Sequence, residues 1–231
     1  HGAAPWCTPR TAGVLPEDRA HIAPYLYNDP QSLADAFKTH EGDVAAVFAT
    51  PFRHETFEDQ VQPNLDFARA ARRLCDDAGA LLVIDEVRAG FRLARDCSWS
   101  QMGVSPDLSA WGKCLANGFP ISALLGSEIA REAARKIFVT GSFWFAATAM
   151  AAALETLRHI RESDSLERMT AAGRRLREGL RQQAAAHGFA LRQSGPPQMP
   201  QIFFEDDPDF RFGYGWAAEC VKRGVYVHPY H

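Results

Sequence analysis

The chain has 231 residues, 46% hydrophobic and 23% charged, which is enough apolar sequence to build a sizeable core. Its 28 acids against 25 Lys and Arg give a formal net charge of -3 without a basic block or stripe, so a nucleic-acid partner is not expected. The five cysteines are odd in number and lack Cys-x-x-Cys spacing, and no apolar run is long enough to span a membrane. No zinc site or disulfide framework is therefore expected, and reduced thiols fit a cytoplasmic setting.

In chain order, residues 44–49 are a short apolar run ending at Thr50-Pro51 and read as a buried strand. Residues 63–79 place Leu65, Ala68, Ala71, Leu74, Cys75 and Ala78 on one helical face, with Gly79 as the stop. Residues 81–84, Leu-Leu-Val-Ile, form the next strand and end on Asp85 and Glu86. Strand, helix and strand make a βαβ unit, which implies an α/β fold with a largely parallel sheet covered on both faces. Residues 108–111 are a further strand ending at Gly112-Lys113. Residues 121–125 return after the turn signal Asn117-Gly118-Phe119-Pro120. Ser127 is placed to cap a helix running through Lys136.

A small-residue helix over 146–160 follows Gly141-Ser142, and a long amphipathic helix over 163–186 follows that. Arg174, Arg175, Arg177 and Arg181 share the long helix with Glu178 and read as a solvated face. The remainder alternates short strands at 189–192, 201–205 and 225–228 with a helix over 214–223, an α+β pattern. The expected division is 1–145 as a large domain and 146–231 as linking helices and a small domain. The chain opens on His1-Gly2 and stops at His231 without a closing element, so a longer natural protein is expected at both ends.

In open α/β sheets, ligands bind beyond the carboxyl ends of the strands. Two such ends carry charge: Asp85 after 81–84 and Lys113 after 108–111. A carboxylate following four buried aliphatics is partly desolvated and needs a positive partner. A protonated pyridine nitrogen is one such partner, and a lysine on a loop beside that ring can form an imine with an aldehyde. Taken singly, Asp85 is also what a cap or turn needs, and Lys113 what an ordinary surface carries. The four histidines His21, His40, His159 and His187 lack metal-ligand spacing. His54 can approach a bound group or stay solvated. Arg92 either clamps a substrate carboxylate or ties its loop to the sheet.

Asp85-Glu86-Val87-Arg88-Ala89-Gly90-Phe91-Arg92 resembles the Asp-Glu-Val-x-x-Gly-Phe-Arg signature of class III aminotransferases. Pro106-Asp107-Leu108, Gly112-Lys113 and Asn117-Gly118-x-Pro120 resemble that family's cofactor-lysine segment, in the same order and at a fitting separation. Gly141-Ser142-Phe143 resembles its phosphate segment, and His1-Gly2 with Trp6 resembles its Tyr-His-Gly-Trp-His-Asp-Trp stretch. Within the family the likeness is closest to glutamate-1-semialdehyde 2,1-aminomutase and its aminotransferase relatives.

The resemblance implies the fold type I of pyridoxal-phosphate enzymes and a site at a homodimer interface. It implies that Lys113 carries pyridoxal 5'-phosphate as a Schiff base, Asp85 binds the pyridine nitrogen and Val87 packs on the ring. Ser142 would donate to the phosphate across the dimer. The substrates implied are a small amine or amino acid donor and a carbonyl acceptor. Aminomutase, decarboxylase and racemase chemistry stay open, since the same lysine serves all three.

Several positions depart from the family pattern. Thr50-Pro51 stands where Glu-Pro is usual, Ala146-Ala147 replaces Asn-Pro, and Phe143-Trp144-Phe145 is bulkier than Ser-Gly. The phosphate-cradling loop and a C-terminal substrate segment do not occur in the chain. Two rival readings remain. One is a nucleotide hydrolase that uses 81–86 as a Walker B strand, although no Gly-x-x-x-x-Gly-Lys-Ser/Thr loop is present. The other is a non-catalytic homologue, against which the joint presence of Asp85 and Lys113 argues.

Overall fold

The computed structural model describes residues 13–54, 58–143 and 146–229. The chain divides into two compact units. The first comprises His1–Arg53 and Pro63–Leu166; the second comprises His54–Gln62 and Glu167–His231. The resemblance drawn from His1-Gly2 and Trp6, and that of Trp144 and Phe145, lie outside the described residues.

Among the described residues, the first unit holds a four-stranded sheet: β1 (Ala46–Ala49), β2 (Leu81–Asp85), β3 (Leu108–Trp111) and β4 (Ala123–Gly126), in that spatial order. The first three strands run parallel and β4 returns antiparallel beside β3. Aliphatic and β-branched residues make β1 and β2 strands with one face for the core. Val47 pairs with Leu82 and Ala49 with Ile84, and all four are buried.

The helices α1 (Pro30–Thr39) and α2 (Leu65–Ala78) supply the rest of that core. Proline opens α1, where its missing N–H costs nothing, and the Asp29 side chain accepts from Ser32 N–H at 2.9 Å. α2 starts on Asn64, whose side chain accepts from Phe67 N–H at 2.6 Å. It stops at Gly79, in the left-handed region at φ 67. Ala80 N–H closes the end on Cys75 O at 2.9 Å. The buried residues Phe67, Ala68, Ala71 and Cys75 recur at helical spacing and pack with Leu33 and Trp99 against β1 and β2.

The expectation of a sheet covered on both faces needs correction. Phe48, Val83, Leu108 and Gly126 are paired across the sheet and share its opposite face. Val83 is buried at the centre, but Phe48 on β1 and Leu124 on β4 are 62% and 65% exposed. Both lie on the outer strands of the four described, away from the centre of the sheet where Val83 is packed. The helix expected after Ser127 is also different. A 3-10 turn (Glu128–Ala130) precedes a single helical turn, α3 (Arg131–Ala134), and the Ser127 side chain makes no cap hydrogen bond. The helix α4 (Ala147–Glu162) then closes the unit, and α5 (Ser165–Ala186) leads out of it.

In the second unit, β5 (Leu191–Ser194) and β6 (Gln201–Phe204) pair antiparallel, and α6 (Arg211–Lys222) follows. Phe204 meets Phe189, Phe212 and Trp216 in an aromatic cluster with ring centroids 5.7 to 6.3 Å apart. Two expectations fail here. Residues 225–228 form no strand. Arg177 is no solvated residue. Half-buried, it donates from Nη1 to Gly195 O at 2.9 Å and from Nη2 to Gln193 O at 3.2 Å, pinning α5 to β5. Arg181 behaves as expected, exposed and paired with Glu178.

Candidate active site

Parallel pairing decides where charge gathers. Ile84 lies beside Ser109 and Asp85 beside Ala110, so β2 and β3 end side by side, about 4.8 Å apart. Asp85 closes the first strand, and Trp111, Gly112 and Lys113 close the second. Asp85, Val87 and Lys113 are thereby brought to adjacent carboxyl ends within one unit. Ser142 is on another segment, an exposed turn four residues ahead of the α4 N-cap Ala146, so it does not cap that helix.

The Asp85 carboxylate is half-buried and its orientation is set locally. Oδ1 accepts from Val87 N–H at 3.0 Å, a turn that Asp makes with its own chain two residues on. Glu86 points the other way, into the protein, and is 1% exposed. Its Oε1 accepts from Ser98 N–H at 2.5 Å and its Oε2 from the Ser98 hydroxyl at 2.9 Å. Burial raises its pKa above the ordinary carboxylate value, while the Ser98 hydrogen bonds work against that rise. Both oxygens are used inside the fold, so the geometry gives Glu86 an anchoring place and not the water-activating one of a Walker B strand.

The loop after Asp85 is fastened to the loop that carries Lys113. Gly90 N–H donates to Glu86 O at 2.7 Å, and a Cβ at Gly90 would lie 2.6 Å from the Trp111 ring. Only glycine fits there. Phe91, itself at φ 62, lays its ring 4.6 Å from that of Trp111. Val87 Cγ1 would be 3.6 Å from a Cβ on Gly112. Arg92 Nε donates to Cys114 Sγ at 2.9 Å, so Arg92 ties one loop to the other. Lys113 is exposed and at φ 43, a left-handed conformation that costs a non-glycine residue about 1–2 kcal/mol.

Supporting groups come from further off. Asp107 Oδ2 accepts from Arg72 Nη1 and from Leu82 N–H, each at 2.8 Å, which locks α2, β2 and the start of β3 together. Thr50, at the end of β1, is buried and donates to Phe52 O at 2.8 Å. His21, His40, His159 and His187 are exposed, and His54 belongs to the second unit. Cys75, Cys97, Cys114 and Cys220 are free thiols, and burial with the nearby Glu86 charge pushes Cys97 up to about 12. No described helix is long and apolar enough to cross a membrane.

Residues 16–230 match the family described as Aminotransferase class-III. The chain belongs to this family. It is 69% identical to the aminopentol aminotransferase of Sphingopyxis macrogoltabida over 231 residues, all of this chain and 55% of that protein. It is 34% identical to the glutamate-1-semialdehyde 2,1-aminomutase of Halobacterium salinarum over 209 residues, 89% of this chain and 46% of that protein. Among solved structures, the FumI protein of Sphingopyxis sp. MTA144, in its PLP internal aldimine form, superposes with a TM-score of 0.94. That match is 69% identical and covers 100% of this chain and 56% of the other. The chain spans about half the length of the relatives it matches. This class III aminotransferase chain thus has the expected fold type I architecture, with Asp85 at the end of β2 and Lys113 two residues past the end of the neighbouring β3.

Proposed function

We propose that the protein is a pyridoxal-phosphate-dependent aminotransferase in which Lys113 carries the cofactor and Asp85 faces its ring nitrogen. The observation that carries this is the pairing of β2 with β3, by which a half-buried, oriented carboxylate closes one strand and an exposed lysine follows the end of its neighbour by two residues. The donor set suits the group. A carboxylate fits a protonated pyridine, a primary amine fits an aldehyde, and the Val87 side chain offers an apolar surface to a ring.

When bound, pyridoxal phosphate supplies the aldehyde that takes up the amino group and the cationic ring that withdraws electrons from the carbon beside it. The residues do the rest. Asp85 would keep a proton on the ring nitrogen by its negative charge. Val87 would offer its apolar side chain to the ring. The Lys113 amine would take the proton from the donor's nitrogen-bearing carbon and return it to the carbon supplied by the cofactor aldehyde. Donor and carbonyl acceptor follow one another in ping-pong order.

The 69% identical aminopentol aminotransferase favours transamination over the aminomutase reading and makes an aminopentol the donor to try first. We assign residues 1–145 to the cofactor-binding domain, although 54–62 cluster with the second unit, and 146–231 to linking helices and the small domain, of which 146–166 cluster with the first unit. We further assign a homodimer with shared sites, Ser142 donating to the partner's phosphate, and a cytoplasmic location suited to free thiols. The test is Asp85→Asn in the full-length protein. It should still bind cofactor but lose at least about a thousandfold in turnover, because a neutral amide no longer favours the pyridinium. Near-normal turnover removes Asp85 from the mechanism.

A further inference from the structure

We propose that Arg92 and Cys114 form a positioning pair that sets the Lys113 amine relative to Asp85. This rests on the reading of Lys113 and Asp85 given above. Lys113 occupies a left-handed backbone conformation and is exposed, so nothing about its own side chain fixes where it points. Its neighbours on both sides are held, and both are held by the loop that begins at Asp85. Before it, Gly112 lies against Val87, and Trp111 is gripped by Gly90 and Phe91. After it, Cys114 Sγ receives the Arg92 Nε hydrogen at 2.9 Å. Leu115 N–H closes the same turn on Gly112 O at 3.0 Å.

The two loops are therefore joined at three successive points, and Lys113 lies between the second and the third. The first two joints are apolar contacts. The third is a directed N–H to sulfur hydrogen bond, and together with the Leu115 N–H to Gly112 O bond it sets the course of the chain after Lys113. Breaking it frees the lysine to rotate away from Asp85 while leaving the core packed by α2 untouched. Cys114 acts here as an acceptor, so serine can replace it and alanine cannot.

The experiment is a double-mutant cycle in the full-length protein: Arg92→Ala, Cys114→Ala, the two combined, and Cys114→Ser. Each variant is stripped of cofactor, and re-uptake of pyridoxal phosphate is timed by absorbance. Each alanine variant should capture cofactor about tenfold more slowly, with the double variant no slower than the slower single one. Cys114→Ser should stay within about twofold of wild type. Turnover should fall with capture while the donor KM changes less than about twofold, as expected for a lost geometric constraint. Defects that multiply to about a hundredfold in the double variant, or a serine variant as slow as alanine, overturn the pairing. Borohydride fixation separates the two levels. An adduct on Lys113 with multiplying defects sinks the pair alone, whereas an adduct on another lysine sinks the underlying reading and the pair with it. Arg92→Met and Cys114→Val complete the same cycle if an alanine variant does not fold.

Discussion

At the scale of single residues, neighbouring acids at one strand end have opposite tasks. Asp85 and Glu86 follow the same aliphatic strand, yet the period-2 pleat sends one to the strand end and the other into the protein. Burial holds the Glu86 pKa above its ordinary 4.5, so the folded state keeps a proton that the unfolded chain has already lost. Stability from this group is unimpaired below about pH 4.5 and is lost as pH rises through the folded pKa. Glu86→Gln should therefore gain on wild type in melting temperature as pH is raised from 4.5, since its amide can still accept from Ser98 N–H and meet the Ser98 hydroxyl. A melting difference independent of pH would show that Glu86 is already ionised without penalty. The strand-end positions of Asp85 and Lys113 were legible in the sequence because each closes an apolar run and sits in a contiguous motif. The fastenings were not. Glu86 meets Ser98 twelve residues away, and Arg92 meets Cys114 twenty-two residues away, and no local pattern announces either contact.

At the scale of elements, boundaries were legible where the backbone itself demands a residue type. Gly79 was expected to stop α2 and does so at φ 67, with nothing within 4 Å of an added Cβ. Gly79→Ala therefore meets no clash and should cost only the strain of the left-handed conformation, about 1 kcal/mol, without changing cofactor capture. A loss of several kcal/mol in chemical denaturation would mean that packing was disturbed as well. Where signals were statistical they failed. Ser127 has a capping side chain but introduces a 3-10 turn instead. Arg177 lies on a charged stripe, but Gln193 of β5 and Gly195 just after it claim it. α1 escaped the sequence reading because it buries only Leu33. Its start depends on Asp29 and Pro30, and its place on packing against α2.

At the scale of the whole molecule, the α/β class and mainly parallel sheet followed from the βαβ pattern, and the family match over 16–230 fits both. The face bearing Asp85 is open at the outer two of the four described strands, and the chain spans 55% of its 69% identical relative. Ser142 precedes the α4 N-cap by four residues, so its hydroxyl is not spent on that helix. If it serves the partner's phosphate, mixing Lys113→Ala chains with Ser142→Ala chains yields dimers with one intact site. Activity then recovers to about a quarter of wild type in a statistical mixture. A mixture no more active than the Ser142→Ala parent rules the shared site out.

If Lys113 holds the cofactor, the full-length protein should be yellow, and borohydride reduction followed by protease digestion and mass spectrometry should find the reduced cofactor on the peptide containing Lys113. An adduct on Lys38, Lys136 or Lys222 instead would overturn that assignment.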